Sequence, residues 1–481
     1  MKILLSSICL ETGTDLQLAL YYLQSYLLAQ ECRSMKCEIL TFTERQKASS
    51  IANRIIGHKP GLTGFSCYLW NIEKTLSVCR LLKKAVPSMV IVLGGPEVTP
   101  RAREILEREE CVDVIVRGEG EAAFRELAEE INAGKEGGLK KIKGISFRQG
   151  GKVIDNPSRP DIADLDTIPS PYLSGRVDLR DKDLVDVPLE TTRGCAFRCS
   201  YCYYHKNFSG LRRFSLERTE KELRLILARK PREVYLMDAT FNSDPARAKK
   251  ILRMFVKYNR GSQLHVELKA ELLDEETARL LRQARAFNIE IGIQSTNPGS
   301  LRAVRRSFDR RKFARGIRLL NKHGLIYEIQ LIDALPLQSY KDLKRSLDWL
   351  YALRPVKIII FRLKMLPGTA LREQAADHGI VYSSKAPYHA FCSNVMSVED
   401  VFRSERLRFA MERLYDSRVF QERLYALKSE KGMRISDILE SWIDWERGLK
   451  PGFSRSPEML NKRLPEFEKY LFKKQVLGTG L

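Results

Sequence analysis

Residues 184–202 read LVDVPLETTRGCAFRCSYC. Leu184–Thr191 has the apolar run of a buried strand. Cys195, Cys199 and Cys202 crowd into the loop that follows it. The same rhythm continues downstream. Strands read at Glu233–Asp238, Leu264–Leu268, Asn288–Gln294, Ile326–Ile332 and Lys357–Leu363, each separated by an amphipathic helical stretch. Six consecutive strand–helix units between residues 184 and 370 predict a partial (β/α)6 barrel, smaller than the eightfold form. The thiol loop then stands at the carboxyl end of its first strand, where parallel α/β folds place their ligands.

Upstream the pattern is similar. Lys2–Ile8, Glu38–Thr43, Leu62–Leu69, Met89–Leu93 and Val112–Val116 read as strands, with helices over Asp15–Gln30, Ile72–Ala85 and Glu121–Ile131. Pro87 closes the second of these helices, because proline cannot continue a helix interior. Residues 1–135 are therefore expected to form an α/β domain with a doubly wound, flavodoxin-like sheet. Residues 136–183 are rich in Gly and Pro and read as a linker carrying a small hairpin (Ile142–Arg148 and Lys152–Ile154). After Gly368 the strand rhythm stops. Residues 371–481 read as an α-rich domain, for instance Ser404–Tyr415 and Ile435–Trp445.

Composition narrows the class. With 481 residues and 44% hydrophobic side chains the chain can bury several cores, which excludes wholesale disorder. Ten cysteines are too few for a disulfide scaffold. No apolar run approaches the ~20 residues of a membrane span. Met1–Leu10 is followed by Glu11 and Asp15 without a cleavage-site pattern, so a cytoplasmic protein is expected. The net charge of +22 is concentrated between residues 151 and 400. Arg302, Arg305, Arg306, Arg310, Arg311, Lys312, Arg315 and Arg318 form one basic stretch, and Lys206, Arg212, Arg213 and Arg218 another. Solvated outer faces of barrel helices explain them better than RNA, since only Phe308 and Phe313 could stack bases. An anionic substrate is the other reading.

Three thiolates on one short loop can hold three irons of a 4Fe–4S cluster. The next cysteine is Cys392, so one iron keeps an open coordination position. The alternative is zinc with His205 as the fourth ligand. The Cys-x3-Cys-x2-Cys spacing after a first barrel strand resembles the radical S-adenosylmethionine (SAM) superfamily. The resemblance implies that the open iron chelates SAM, whose reductive cleavage yields a 5′-deoxyadenosyl radical. It also implies further contacts to SAM. Tyr201 matches the aromatic that packs on the adenine. Met237-Asp238-Ala239 stands where the family has a Gly-Gly-Glu-like segment for the methionine amine, and backbone contacts are favoured there. Glu267, Gln294 and Ser295 match positions near the ribose and carboxylate. Ile332-Asp333-Ala334-Leu335-Pro336 replaces the commoner Gly-Leu-Pro-Gly. Phe361–Leu363, which includes Arg362, and Pro367-Gly368-Thr369 match the end of the sixth strand.

Two further segments sit at strand ends in the first domain: Gly94-Gly95-Pro96-Glu97 and Gly118-Glu119-Gly120-Glu121. Glycine there lets backbone approach a bulky ligand. Neither is Gly-x-Gly-x-x-Gly, and the acidic neighbours argue against a pyrophosphate. Joined to the downstream module, they resemble the cobalamin-binding domain of cobalamin-dependent radical SAM enzymes, where such loops line the cleft for the nucleotide tail. The Asp-x-His-x-x-Gly motif that supplies a cobalt ligand elsewhere is absent, and His58 has the wrong context. Cys67–Asn71, including Tyr68, is the candidate lining for the lower cobalt face. The resemblance implies three cofactors: a 4Fe–4S cluster, SAM and cobalamin. It points to a C-methyltransferase that uses methylcobalamin on an unactivated carbon of a small molecule or peptide. Tyr203, Tyr204 and Glu97 are candidate substrate contacts. An external electron donor of the flavodoxin or ferredoxin type would serve it. The rivals are a non-methylating rearrangement or cyclisation, an RNA-modifying methylthiotransferase and a non-enzymatic cobalamin sensor. Cys9, Cys32 and Cys37 lack the spacing a methylthiotransferase needs for its second cluster.

Overall fold

The computed structural model describes residues 1–10, 16–29, 34–134, 136–181, 184–206, 208, 210–416, 418, 420–448 and 457–478. Cys32 and the predicted helix ends Asp15 and Gln30 lie outside them. Two compact units divide the chain: Met1–Phe287 with Met365–Glu373 and Ser383–Tyr388, and Asn288–Lys364 with Gln374–Tyr382 and His389–Leu481.

The first unit opens with β1 (Lys2–Cys9), α1 (Leu18–Leu27), β2 (Lys36–Thr43), α2 (Ala48–Gly57), β3 (Leu62–Ser66), α3 (Ile72–Ala85), β4 (Val90–Gly94), α4 (Ala102–Arg108), β5 (Val114–Val116) and α5 (Glu121–Asn132). The parallel strands take the order β2-β1-β3-β4-β5, which is the flavodoxin-like arrangement. Alternation along each strand feeds two cores. Leu4, Ile8, Phe65, Ile91, Leu93 and Ile115 pack against α2, α3 and α4. Ile3, Leu5, Leu62, Val92, Val114 and Val116 meet side chains of α1 and α5.

The hairpin read as part of a linker has a structural role. β6 (Ile145–Gln149) pairs antiparallel with β5, and β7 (Lys152–Asp155) extends the sheet to seven strands. The reason is burial: Ile145 and Phe147 complete the α1–α5 core and leave no exposed surface. Asn156 then locks the return, donating to the carbonyls of Leu139 and Ile142 at 2.7 Å each.

The strand–helix series begins with β8 (Asp186–Leu189). The short strands β9 (Thr192–Arg193) and β10 (Arg212–Arg213) bracket the cysteine loop. After α6 (Leu216–Leu227) come β11 (Glu233–Leu236), α7 (Pro245–Tyr258), β12 (Gln263–Leu268) and α8 (Glu275–Gln283). β8, β11 and β12 pair in parallel. The remaining strands are β13 (Ala286–Gln294), β14 (Tyr327–Ile332) and β15 (Lys357–Phe361), also parallel, with α9 (Pro298–Ala303), α10 (Arg310–Lys322) and α11 (Tyr340–Tyr351) between them. All six predicted strands of the series form.

Beyond them lie α12 (Ala370–Glu373), β16 (Val381–Tyr382), β17 (Ala390–Cys392), α13 (Val398–Met411), α14 (Gln421–Lys431), α15 (Ile435–Arg447) and α16 (Pro457–Gly478). The α-rich expectation for this end holds, apart from the small β16–β17 hairpin. Its two- and three-residue strands are too short to show a period in sequence. Among the described residues no helix is long and apolar enough to cross a membrane.

Candidate functional site

One cavity of about 520 Å³ opens at the carboxyl ends of the first unit's strands. On one side it is lined by Ser66, Tyr68 and Trp70 after β3, by Gly94, Gly95, Pro96 and Glu97 after β4, and by Gly118, Glu119 and Gly120 after β5. On the other stand Glu190, Arg193, Cys202, Tyr203, Tyr204 and Phe208 from the cysteine-loop region, with Met237, Leu366 and Pro367. The two glycine loops and the last cysteine, separated by a hundred residues in sequence, thus face one hollow. Its walls are predominantly apolar, as a site for a large cofactor requires.

Local geometry explains the glycines. Gly95 has φ +108°, and a Cβ there would lie 2.6 Å from the Cys67 carbonyl oxygen. The loops after β3 and β4 are therefore in backbone contact, and Cys67 N donates to Gly94 O at 2.7 Å. Gly118 has φ +72° with open space where a side chain would project. Asn71 shapes the neighbouring loop by donating to Ile8 O (3.1 Å) and Ser66 O (3.0 Å) while accepting from Tyr68 N at 2.8 Å. Tyr68 and Trp70 stack with centroids 4.5 Å apart and planes within 3°, offering a flat aromatic wall. Cys67 is wholly buried, and burial pushes its thiol well above the usual range. Among the lining groups of this segment the cavity therefore meets Tyr68 and not Cys67.

His58 lies on the turn entering β3, the opposite edge of the sheet, and pairs with Glu38 at 2.9 Å. It is placed as a loop residue. Glu97 lines the cavity but is only 4% exposed. It accepts from Tyr388 Oη and from Arg101 Nη1 at 3.1 Å, while burial raises its carboxyl above the usual range. The acidic residues beside Gly118 and Gly120 were expected to repel a pyrophosphate. That reason is weakened by ion pairing: Glu119 meets Arg193 and Arg212 at 3.0 and 2.9 Å, and Glu121 meets Arg193 at 2.7 Å.

In the cysteine loop, Cys202 N donates to Cys199 O at 3.1 Å and Phe197 N approaches Cys195 Sγ at 3.4 Å. Cys199 is buried, and Cys195 and Cys202 are partly exposed. Burial pushes the Cys202 thiol up to about 11, so a bound cation is needed to hold it as thiolate near neutrality. No described cysteine forms a disulfide. Among the described residues no three His, Cys, Asp or Glu side chains converge on a single ion. A cubane cluster takes one thiolate per iron, so its ligands stand apart, and the all-thiolate donor set fits that group. Tyr201 sits between Ser200 and Cys202 and does not line the cavity, whereas Tyr203 and Tyr204 do. Gly368 (φ +74°) lets Tyr203 in: a Cβ there would stand 2.7 Å from its ring.

Asp238 is buried (1% exposed) and fully engaged with the strand that leads into the cysteine loop. It accepts from Thr191 N at 2.8 Å, Thr192 N at 2.9 Å and the Thr191 hydroxyl. Its side chain positions that loop, while Met237 N donates to Leu189 O at 2.9 Å and Ala239 O accepts from the Thr240 hydroxyl at 2.6 Å. Glu267 on β12 receives a long bond (3.4 Å) from the Tyr235 hydroxyl.

The other predicted SAM positions belong to the second unit. Gln294 ends β13 at a bulge, with φ +71° and a buried Oε1 that has no partner. Ser295 is buried and accepts from Asn297 N at 3.1 Å. Ile332 O accepts from Gln338 Nε2 at 2.8 Å. Arg362 pairs with Glu405 at 2.9 Å, and Leu363 N donates to Asp333 at 3.2 Å. Ala334 and Leu337, which flank Leu335-Pro336 where the commoner motif has glycines, take φ +53° and +58°. The left-handed turn is kept without glycine, at a cost of about 1 kcal/mol per residue.

Sequence reasoning missed several liners. Leu18, Ala19, Tyr22 and Leu23 of α1 face the cavity, although the helix's apolar stripe reads as core. Phe208, Glu190 and Arg193 were also not singled out, whereas Trp70 falls within the candidate segment Cys67–Asn71. The nearness of Glu190 and Arg193 to the first cysteine was the available signal. The basic stretches divide. Arg212 and Arg218 are largely buried in ion pairs with Glu119 and Glu222, whereas Arg310 and Arg311 start an exposed helical face.

The family model of the radical SAM superfamily matches residues 189–350, and that of the B12 binding domain matches residues 16–128. The chain joins a radical SAM domain to a B12-binding domain. An uncharacterized methyltransferase of Pyrococcus horikoshii is 27% identical over 77% of this chain and 81% of its own length. The 2-(S-pantetheinyl)-carbapenam-3-carboxylate methyltransferase of Streptantibioticus cattleyicolor is 28% identical over 67% of this chain, and the match spans only half of that protein. In fold, the apo form of the cobalamin-dependent S-adenosylmethionine radical enzyme OxsB covers 99% of this chain and 81% of its own, with TM-score 0.70 and 16% identity. The helical C-terminal part is thus within the shared fold. Cys9 and Cys37, whose spacing did not suit the methylthiotransferase alternative, lie in β1 and β2.

Proposed function

We propose that this radical SAM, B12-binding protein is an enzyme that methylates an unactivated carbon, using a 4Fe–4S cluster, SAM and cobalamin. The observation that carries this reading is the single cavity lined by both glycine loops and by Cys202. When bound, the three groups supply a carbon-centred radical on the substrate and a methyl group to quench it. The chain's own residues do the rest. Cys195, Cys199 and Cys202 hold three irons. The backbone after β11, fixed by Asp238, and Glu267 on β12 are the first unit's candidate seat for SAM, with Tyr201 against its adenine. Gly94–Glu97 and Gly118–Gly120 would take the corrinoid's tail, and the Tyr68–Trp70 stack would offer it a flat aromatic face. Tyr203, Tyr204 and Phe208 exclude water from the shared hollow. The substrate is a small molecule or peptide, and an external flavodoxin- or ferredoxin-type protein donates the electron.

The test is anaerobic purification with hydroxocobalamin, cluster reconstitution, and incubation with SAM and a chemical reductant. A corrinoid spectrum on the protein and formation of 5′-deoxyadenosine are expected. Persistent absence of SAM cleavage with cluster and corrinoid both loaded overturns the reading. A product heavier than its substrate by one CH2 separates methylation from rearrangement or cyclisation.

A further inference from the structure

Glu119 was expected to touch a cofactor, yet its side chain has no capacity left to do so. Oε1 accepts from Arg193 Nη1 at 3.0 Å and Arg212 Nη2 at 2.9 Å. Oε2 accepts from Arg212 Nη1 at 2.9 Å and Ile162 N at 2.7 Å. Four donors fill the roughly four acceptor sites of a carboxylate. The group is sealed, with 5% of the Glu119 side chain, 6% of Arg193 and 14% of Arg212 exposed. Aromatic rings close over the cations: Tyr22 lies 5.1 Å from the Arg193 guanidinium and Phe208 5.6 Å from that of Arg212. Arg193 is further paired with Glu121 at 2.7 Å and Glu190 at 3.0 Å.

The two arginines are the two ends of the cysteine loop. Arg193 of β9 stands two residues before Cys195, and Arg212 of β10 is its antiparallel partner on the return. The ends touch so closely that a Cβ on Gly194 would lie 2.0 Å from Gly210 O. One carboxylate from the loop after β5 therefore clasps both ends of the loop that carries the thiols. Its neighbours Gly118 and Gly120 form the cavity wall.

We infer that Glu119 is a positioning residue that couples the two cofactor loops, so that occupation of the corrinoid side and of the cluster side is cooperative. The inference rests on the reading that both groups bind here. A buried ion cluster whose carboxylate accepts four bonds resists distortion, because leaving a charged partner unpaired is strongly unfavourable. The wall glycines therefore cannot shift without moving Arg193 and Arg212, and a cysteine loop ordered by its cluster holds the wall in place. Linkage makes the effect reciprocal.

The test is a titration of the full chain with hydroxocobalamin, followed by visible absorbance, with the cluster loaded and with it removed. Wild-type protein is expected to bind the corrinoid about fivefold or more tightly with the cluster in place. Glu119→Gln, which keeps the shape but loses the charge, and Arg212→Lys, which keeps the charge but loses the fork, bring the ratio close to one. Arg103→Ala, on an exposed ion pair of α4, keeps the wild-type ratio. Equal affinities in the two states of wild-type protein overturn the coupling without recourse to any variant. A ratio that survives both substitutions overturns the assignment to Glu119. If wild-type protein takes up neither iron nor corrinoid, the reading beneath the inference has failed, and the coupling falls with it.

Discussion

The helices of the N-terminal sheet and those of the strand–helix series start in different ways. None of α1 to α5 has a side-chain cap. Each of α6 to α11 begins on Ser, Asp or Asn whose side chain accepts an N–H from the first turn. A cap contributes ~1 kcal/mol, so its absence in five consecutive helices needs a reason. Two of the five starts supply one. Asn71 stands at the cap position of α3, but its Oδ1 accepts from Tyr68 N while its Nδ2 donates to Ile8 O and Ser66 O, shaping the loop under the cavity. The start of α5 is Gly120, which has no side chain and lines the cavity. In one region loop residues are chosen to stabilise helices. In the other they are chosen for the shape of a hollow.

Removing a thiol tests that division most severely. Cys199→Ala leaves two cysteine ligands and should lower SAM cleavage by roughly 100-fold or more, with iron content falling in parallel. Hydroxocobalamin should still bind, but about fivefold or more weakly, as the coupling through Glu119 requires. Loss of corrinoid binding altogether, with circular dichroism unchanged, would mean that the two regions do not form separable sites.

The mirror-image change is Gly95→Val. Its side chain would have to occupy the space of the Cys67 carbonyl at φ +108°. Strain of about 1–3 kcal/mol and a shifted loop are expected, with corrinoid affinity at least about tenfold weaker. Iron uptake after reconstitution should persist. Unchanged corrinoid affinity, measured by absorbance titration, would remove Gly94–Glu97 from the site.

Glu190 lies where the regions meet and offers a readout in pH. Burial pushes its carboxyl up to about 7, opposed by its pairing with Arg193. A carboxylate raised above its unfolded value binds its proton more tightly when folded, so it stabilises the protein most below the unfolded pKa. That contribution is lost as pH rises through about 7. Wild-type stability against denaturant should therefore fall between roughly pH 5 and pH 8, by about 1–3 kcal/mol from this group. Asp333, raised to about 6, and Asp416, raised to about 7, act in the same direction. Glu190→Gln should flatten only part of the slope, and an identical slope in the variant would show that Glu190 ionises as in the unfolded chain.

How much of this was legible in sequence follows from the range of the interactions concerned. The strand rhythm and the cysteine spacing are local, and both the sheet and the six-strand series could be read from them. The β6–β7 hairpin was legible as a hairpin but not as a sheet edge, because Ile145 and Phe147 meet their core partners only after folding. Glu119 shows the limit most clearly. The acidic residues on either side of Gly120 read as repulsive to anions, yet Arg193 pairs with both and Arg212 with Glu119 from far along the chain. Ala334 and Leu337 mislead in another way, since they hold glycine-like dihedrals without glycine.

The smallest expected effect probes the capped region by itself. Ser339 and Asp342 form a reciprocal capping box at α11: Ser339 Oγ accepts from Asp342 N at 3.2 Å, and Asp342 Oδ2 accepts from Ser339 N at 3.0 Å. Ser339→Ala removes the first bond and leaves Asp342 without its hydroxyl partner. The expected cost is ~1 kcal/mol, read as an earlier denaturation midpoint at unchanged slope. Corrinoid affinity, iron content and SAM cleavage should stay at wild-type values, because the box touches none of the cavity residues. If any of the three moved, the barrel helices would be shaping the site as well as stabilising the fold, and the contrast with α1–α5 would be one of degree. If all three hold while stability falls, capping and ligand shape are separate uses of the same loop positions.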